Sequence, residues 1–276
     1  MMIGNLLMYK FGYLLEGKGE APPSSLKKKM IVAPLLMLAA GLSVLALLGQ
    51  KYALPLLPFL AGGLGFVLIN KLRKAKYNLK PLGLSLAALI LFFAAEEQFG
   101  SSIIVYADQF MTHSLLGFSL SPSSILALNP MVIILFGAVA SLLYNRLPNA
   151  FMRTVAPFLL TGAAFASIAS FHFLTPMQPL AAMMGVVGII SFAELLIGPI
   201  AYSSCSQVAT ETRDSKVMGL VPIGFSLAAT FGGGISKLIA YSGYNLGFLM
   251  LGAALVLGGV SLGLLQSKPQ EAEDKL

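Results

Sequence analysis

Charge is what this sequence has least of. Only 11% of its 276 residues are Asp, Glu, Lys or Arg, 57% are hydrophobic, and the mean hydropathy is +0.84. A soluble domain is nearer half apolar and a quarter charged, so this chain cannot cover its own surface in water. That excludes an ordinary cytosolic enzyme, a disordered tail and a nucleic-acid binder. Cysteine is nearly missing too. Cys205 alone makes no internal disulfide and no cysteine-based zinc cluster, and no activating partner for it is visible. Tryptophan is absent, and the two histidines, His113 and His172, fall near predicted loop ends without a paired histidine at metal spacing. No serine stands in a G-x-S-x-G motif, which argues against intramembrane hydrolysis.

Long uncharged runs are what the sequence does have. A helix needs about 20 mostly apolar residues to cross a bilayer, and the scarce charges punctuate such runs unaided. Met30–Gln50 and Tyr52–Asn70 carry no charge, and Pro81–Tyr106 carries only Glu96 and Glu97. Gln109–Ser124 reads as a loop before a helix from Ile125 to Tyr144. The stretch Thr154–Tyr202 is long enough for a hairpin, with its turn at Thr175–Pro179, and Val217–Tyr241 and Leu246–Leu265 complete eight predicted spans. The basic residues then fall almost wholly on one face. Lys27–Lys29, Lys71–Lys80, Arg146, Arg153, Arg213, Lys216, Lys268 and Lys275 share it, while Lys51 and Lys237 lie opposite. By the positive-inside rule that face, with the C-terminus, is cytoplasmic. The net charge of +7 is thus the mark of membrane-facing loops rather than of nucleic-acid binding.

Polar groups inside the runs carry the functional signal, because an ionisable group at mid-membrane is costly unless paired or hydrated. Glu96-Glu97-Gln98 lies well inside its span. Adjacent helical positions diverge by about 100°, so one carboxylate is expected to face a cavity and the other a neighbouring helix. The bland alternative is a neutral, hydrogen-bonded pair that glues helices. Glu194 precedes Gly198-Pro199, which would weaken its helix and free carbonyls toward a cavity. Asn129 precedes Pro130 and either binds a ligand or bonds to carbonyls that the proline frees. The small residues of Thr230–Ser236 permit close helix approach, and plain packing is their simpler reading.

In order, these segments resemble the C-terminal half of the proton-dependent oligopeptide transporters, a branch of the major facilitator superfamily. Phe92-Phe-Ala-Ala-Glu-Glu-Gln-Phe-Gly-Ser-Ser102 looks like that family's seventh helix and Leu128-Asn-Pro130 like the opening of its eighth. Ala193-Glu-Leu-Leu-Ile-Gly-Pro199 looks like its tenth, and Met218-Gly-Leu220 stands at the start of its eleventh. The resemblance implies an all-α polytopic fold: a six-helix C-terminal bundle over residues 81–265 and an extra two-helix hairpin at 30–70. Residues 1–29 would be the end of a preceding helix and a linker, 71–80 a basic cytoplasmic linker, and 266–276 a cytoplasmic tail. It also implies no cofactor, no enzyme activity, and an inner-membrane location.

The implied function is proton-coupled symport of di- and tripeptides by alternating access. Glu97 would be the coupling acid that pairs with an arginine of the first helix, and Glu96 a second acid beside it. Asn129 and Glu194 would hold the peptide's amino terminus, and Phe93 would stand where the family has a pocket tryptophan. Val221 and Gly224 occupy the places of a tryptophan and a serine, and Gly198 replaces a serine, so substrate range departs from the family pattern. The N-terminal half, with its E-x-x-E-R motif, is the expected partner, alongside protons, peptides and the lipid bilayer. Two other readings remain at this stage: a self-sufficient small transporter acting as a homo-oligomer, and a remnant of a disrupted gene.

Overall fold

The structure is a computed structural model that describes residues 79–111, 114–115, 118–147, 149–174, 180–212 and 215–267, with Gly63, Phe66 and Asn70 as isolated helical positions. The chain divides into two compact units, Met1–Leu56 and Leu57–Leu276. The first lies wholly outside the described residues, and so does nearly all of the predicted hairpin over 30–70.

The second unit is helical. Numbering from Lys80, α1 is Lys80–Glu96, α2 Ser102–Phe110, α3 Leu128–Arg146, α4 Ala150–Leu174, α5 Leu180–Thr212, α6 Leu220–Ser242 and α7 Tyr244–Ser267. A short antiparallel ladder, β1 (Ser114–Leu115) with β2 (Phe118–Ser119), and a 3-10 turn at Pro122–Ala127 fill the connection before α3. Counting α1 and α2 as one span, six helices among the described residues are long and apolar enough to cross a membrane. The fold is therefore that of a multi-pass membrane protein. Helices that bond their own backbone internally are one of the two solutions a lipid interior allows.

Two predicted boundaries change. Pro81–Tyr106 reads as one unbroken helix, but the span runs from Lys80 to Phe110 and is interrupted by a 3-10 turn at Glu97–Gly100. The run Gly100-Ser101-Ser102 explains the break. Glycine weakens a helix, and the serine hydroxyls offer hydrogen bonds that compete with the helical ladder. The connection predicted between Tyr202 and Val217 is shorter than expected, because α5 continues to Thr212. Pro199 sits inside α5 without ending it, as transmembrane helices tolerate when neighbours satisfy the freed carbonyl.

Packing follows residue size. α4 and α7 share the most extensive contact. There a Cβ on Gly162 would stand 2.7 Å from Gly252 O, and one on Gly252 would stand 2.5 Å from Gly162 O. Only glycine allows backbones so close, and in lipid such close approach is a main source of helix association. α3 is the opposite case: only 11% of its apolar window is buried, and Ile134, Leu135 and Leu142 point outward. The core lies between α1, α4, α5 and α7, with Phe92, Phe158, Phe165 and Phe248 buried completely.

Candidate functional site

The break after α1 decides where each polar residue of the Glu96-Glu97-Gln98 run goes. Glu96 is half-buried and accepts a hydrogen bond from Asn129 Nδ2 at 3.1 Å. Asn129 sits in the first turn of α3, where Pro130 removes an N–H that has no helical partner to lose. Glu194, midway along α5, interacts with the same Asn129 side chain and with the charge of Glu96. Three helices thus bring Glu96, Asn129 and Glu194 to one point.

That point has acceptors to spare. Asn129 Oδ1 and Glu194 Oε2 are both buried and have no hydrogen-bond partner. A buried polar atom without a partner costs on the order of 1–3 kcal/mol. Two such acceptors stand beside a second carboxylate, so the cluster holds more acceptors than donors.

Glu97 goes elsewhere. The residue is exposed, and its stem lies against α6 at Gly232, where an added Cβ would stand 2.6 Å from Glu97 Cβ and 3.1 Å from Ala94 O. The small-residue run Thr230–Ser236 therefore serves close packing at Gly232, while Gly233 and Gly234 meet open space. Where the sequence predicts one carboxylate in a cavity and the other against a neighbouring helix, Glu96 meets Asn129 of α3 and Glu97 is exposed beside α6.

Gln98 is the residue whose part the sequence reading missed. Its side chain is fully buried. Its Nε2 donates to Gly232 O at 3.0 Å, and its Oε1 accepts from Ser102 Oγ at 2.8 Å and Ser236 Oγ at 2.9 Å. Ser101 Oγ donates its one proton either to Glu97 O at 3.0 Å or to Ser236 Oγ at 2.9 Å. The network repairs the interrupted helix and ties it to α6. The signal was present in the serines after Gly100 and in Ser236, all polar residues inside apolar spans.

Phe93 is nearly buried, boxed edge-on by Phe225 at 4.6 Å and Phe92 at 5.4 Å between ring centroids. Val221 and Gly224 are buried, and Gly224 faces Leu89 of α1. Cys205 is a buried free thiol. His113 lies outside the described residues, as does the predicted turn at 175–179.

Comparison with known proteins fits this architecture. The sequence matches the POT family over residues 84–249. The dipeptide and tripeptide permease A of Proteus mirabilis is 24% identical over 200 residues, which are 65% of this chain and 40% of the relative. The permease of the same name from Erwinia pyrifoliae is 28% identical over 160 residues, 55% of this chain and 32% of the relative. The chain thus spans well under half the length of these curated relatives. Among solved structures, a POT family transporter in complex with a thioalcohol conjugated peptide superposes with a TM-score of 0.72 at 18% identity, covering 92% of this chain and 59% of the other. One in complex with 5-aminolevulinic acid gives 0.71 at 17%, covering 88% and 55%. The family match runs from the first described span into the last, over more than half of the chain, and makes this protein a member of the POT family that corresponds to part of a transporter.

Proposed function

We propose that the chain is the C-terminal half of a proton-coupled di- and tripeptide symporter, with residues 81–265 as its six-helix bundle. An inserted hairpin at 30–70 and the linkers at 1–29 and 71–80 would join that bundle to an N-terminal half, carried by the same longer chain or by a separate one. In this superfamily the substrate lies between two halves that rock around it, so one half supplies one wall. The basic end of the bundle and the C-terminal segment 266–276 would face the cytoplasm.

The observation that carries the reading is the donor-poor cradle formed by Asn129 and Glu194. These two residues would take the peptide's ammonium group, with Glu96 adding negative charge behind Asn129. Glu97, exposed and outside the cradle, is left for a cation from the other half, and its protonation would release that partner during the transport cycle. Phe93, held by Phe225, would stiffen the wall beside the cradle. The permeases of Proteus mirabilis and Erwinia pyrifoliae carry dipeptide and tripeptide in their names, which supports the substrate class.

The test uses the assembled transporter in proteoliposomes. Glu97→Gln is expected to abolish pH-driven peptide accumulation while counterflow exchange continues. Accumulation that survives the exchange overturns the coupling role of Glu97. An immunoblot of whole membranes against the segment 268–276 supplies the chain's true mass: a band far above 29.1 kDa means one longer polypeptide, and a band at 29.1 kDa means a separate partner half.

A further inference from the structure

At the end of the bundle that carries Lys80 and Arg153, the first turns of α1 and α4 meet the last turns of α3 and α7 around a cavity of about 470 Å³. Its wall includes Lys80, Ser85, Tyr144, Arg153, Thr154 and Gln266. Among the described residues that line it are two cations and no carboxylate. It lies apart from the Asn129–Glu194 cradle, sharing none of those residues.

Arg153 sets the chemistry. Its guanidinium lies over the Tyr144 ring, 5.1 Å from the centroid, so one face of the cation is covered. The ring leaves the in-plane N–H groups untouched, and Arg153 Nε is buried without a hydrogen-bond partner. Arginine stays charged under all protein conditions, and leaving a charged donor desolvated and unpaired is more costly than leaving a neutral one. The last turn of α7 brings carbonyl ends to the same wall, which favours a cation there but gives Arg153 Nε no partner.

The remaining polar groups add donors. Thr154 Oγ1 donates to Gln266 Oε1, which leaves the Gln266 amide hydrogens to donate. Ser85 and Ser204 share a bond of 2.8 Å. Ala150 and Arg153 belong to the first turn of α4, the positive end of its dipole.

We propose that this cavity binds a phosphate group, held in the plane of the Arg153 guanidinium with Lys80, Gln266 and the first turn of α4 around it. Phosphate matches the arginine fork, presenting two acceptors to parallel N–H groups. Two sources offer that chemistry at a membrane surface: the head group of an anionic glycerophospholipid, which basic pockets between spans are suited to hold, and phosphate from solution.

The experiment uses the whole 276-residue chain in nanodiscs. In discs that mix phosphatidylcholine with phosphatidylglycerol, native mass spectrometry reads which lipid stays bound. In discs of phosphatidylcholine alone, inorganic phosphate is titrated and thermal unfolding followed. Phosphatidylglycerol retained in preference, and lost at least about tenfold in Arg153→Gln but not in Arg146→Gln, assigns the site to a lipid head group. Stabilisation by inorganic phosphate that needs Arg153, without lipid enrichment, assigns it to phosphate from solution. Ser203→Leu places bulk at an exposed position on the cavity wall and keeps every charge, so it is expected to lose binding as Arg153→Gln does. The proposal fails if neither ligand binds, if Arg146→Gln loses as much as Arg153→Gln, or if Ser203→Leu binds normally.

Discussion

Two polar clusters sit within a few residues of each other on the first described span, and they are built on opposite principles. Around Gln98 every donor meets an acceptor: the amide bonds across to Gly232 O, and Ser102 and Ser236 close on its oxygen. Around Glu96, acceptors outnumber donors, and Asn129 Oδ1 and Glu194 Oε2 are left buried and empty. A saturated network inside a membrane is cohesion, because nothing in it improves by admitting a ligand. An unsaturated one holds unspent attraction for a group of the missing kind, here a cation with N–H donors. The contrast separates saturated from unsaturated polar groups among residues that composition alone treats alike.

Breaking the saturated cluster is expected to have the largest effect on stability. Gln98→Leu leaves Ser102 Oγ without its partner and removes the tie from the first span to Gly232 O, while Ser236 Oγ keeps its bond to Gly232 O, a loss of about 2–3 kcal/mol. The chain has no tryptophan, so thermal unfolding in detergent is best followed by circular dichroism. A variant as stable as the parent would show that the serines re-pair among themselves. Next comes Gly232→Val, which pushes a side chain into Glu97 and the Ala94 carbonyl at a cost of about 1–3 kcal/mol. Its midpoint shift should not add fully to that of Gln98→Leu, since both act on one contact.

The unsaturated cluster should respond the other way round. Asn129→Ala removes the bond to Glu96, worth about 1 kcal/mol, and leaves two carboxylates facing a gap. Glu194→Gln has the smallest effect, a stability change within about 1 kcal/mol of zero, because it neutralises a half-buried charge with an isostere. In the assembled transporter, however, Glu194→Gln should weaken peptide binding by at least about tenfold through loss of the charged acceptor, measured by calorimetric titration with a dipeptide. Peptide binding unchanged in Glu194→Gln would move the ammonium site away from this cluster.

Much of the architecture was legible beforehand because the physics is one-dimensional. Apolar length sets a span and charge ends it, so all six predicted spans of the region 81–265 appear, with shifted ends. The hairpin between α4 and α5 was readable for the same reason: Thr154–Tyr202 is too long for one crossing. Gly100 and the two serines after it mark a weak point, but they do not place the break at Glu97–Gly100, because the groups that hold it, Gly232 O and Ser236 Oγ, lie far away in sequence. Nor could spacing say which of two adjacent glutamates meets Asn129. The 3-10 turn begins at Glu97 and changes the angle between the two side chains from its helical value.

The sequence by itself determined the solvent of this protein, the number and order of its described spans, and its family. Each follows from composition, run length or motif order along the chain. The tertiary structure decided that Glu96, Asn129 and Glu194 converge while Glu97 turns to Gly232, that Gln98 is saturated, and that Arg153 is left with an unanswered donor. These depend on which helices touch and how closely. In a bundle whose apolar faces barely differ, that is settled by glycine contacts and by a few long-range hydrogen bonds that no local pattern announces.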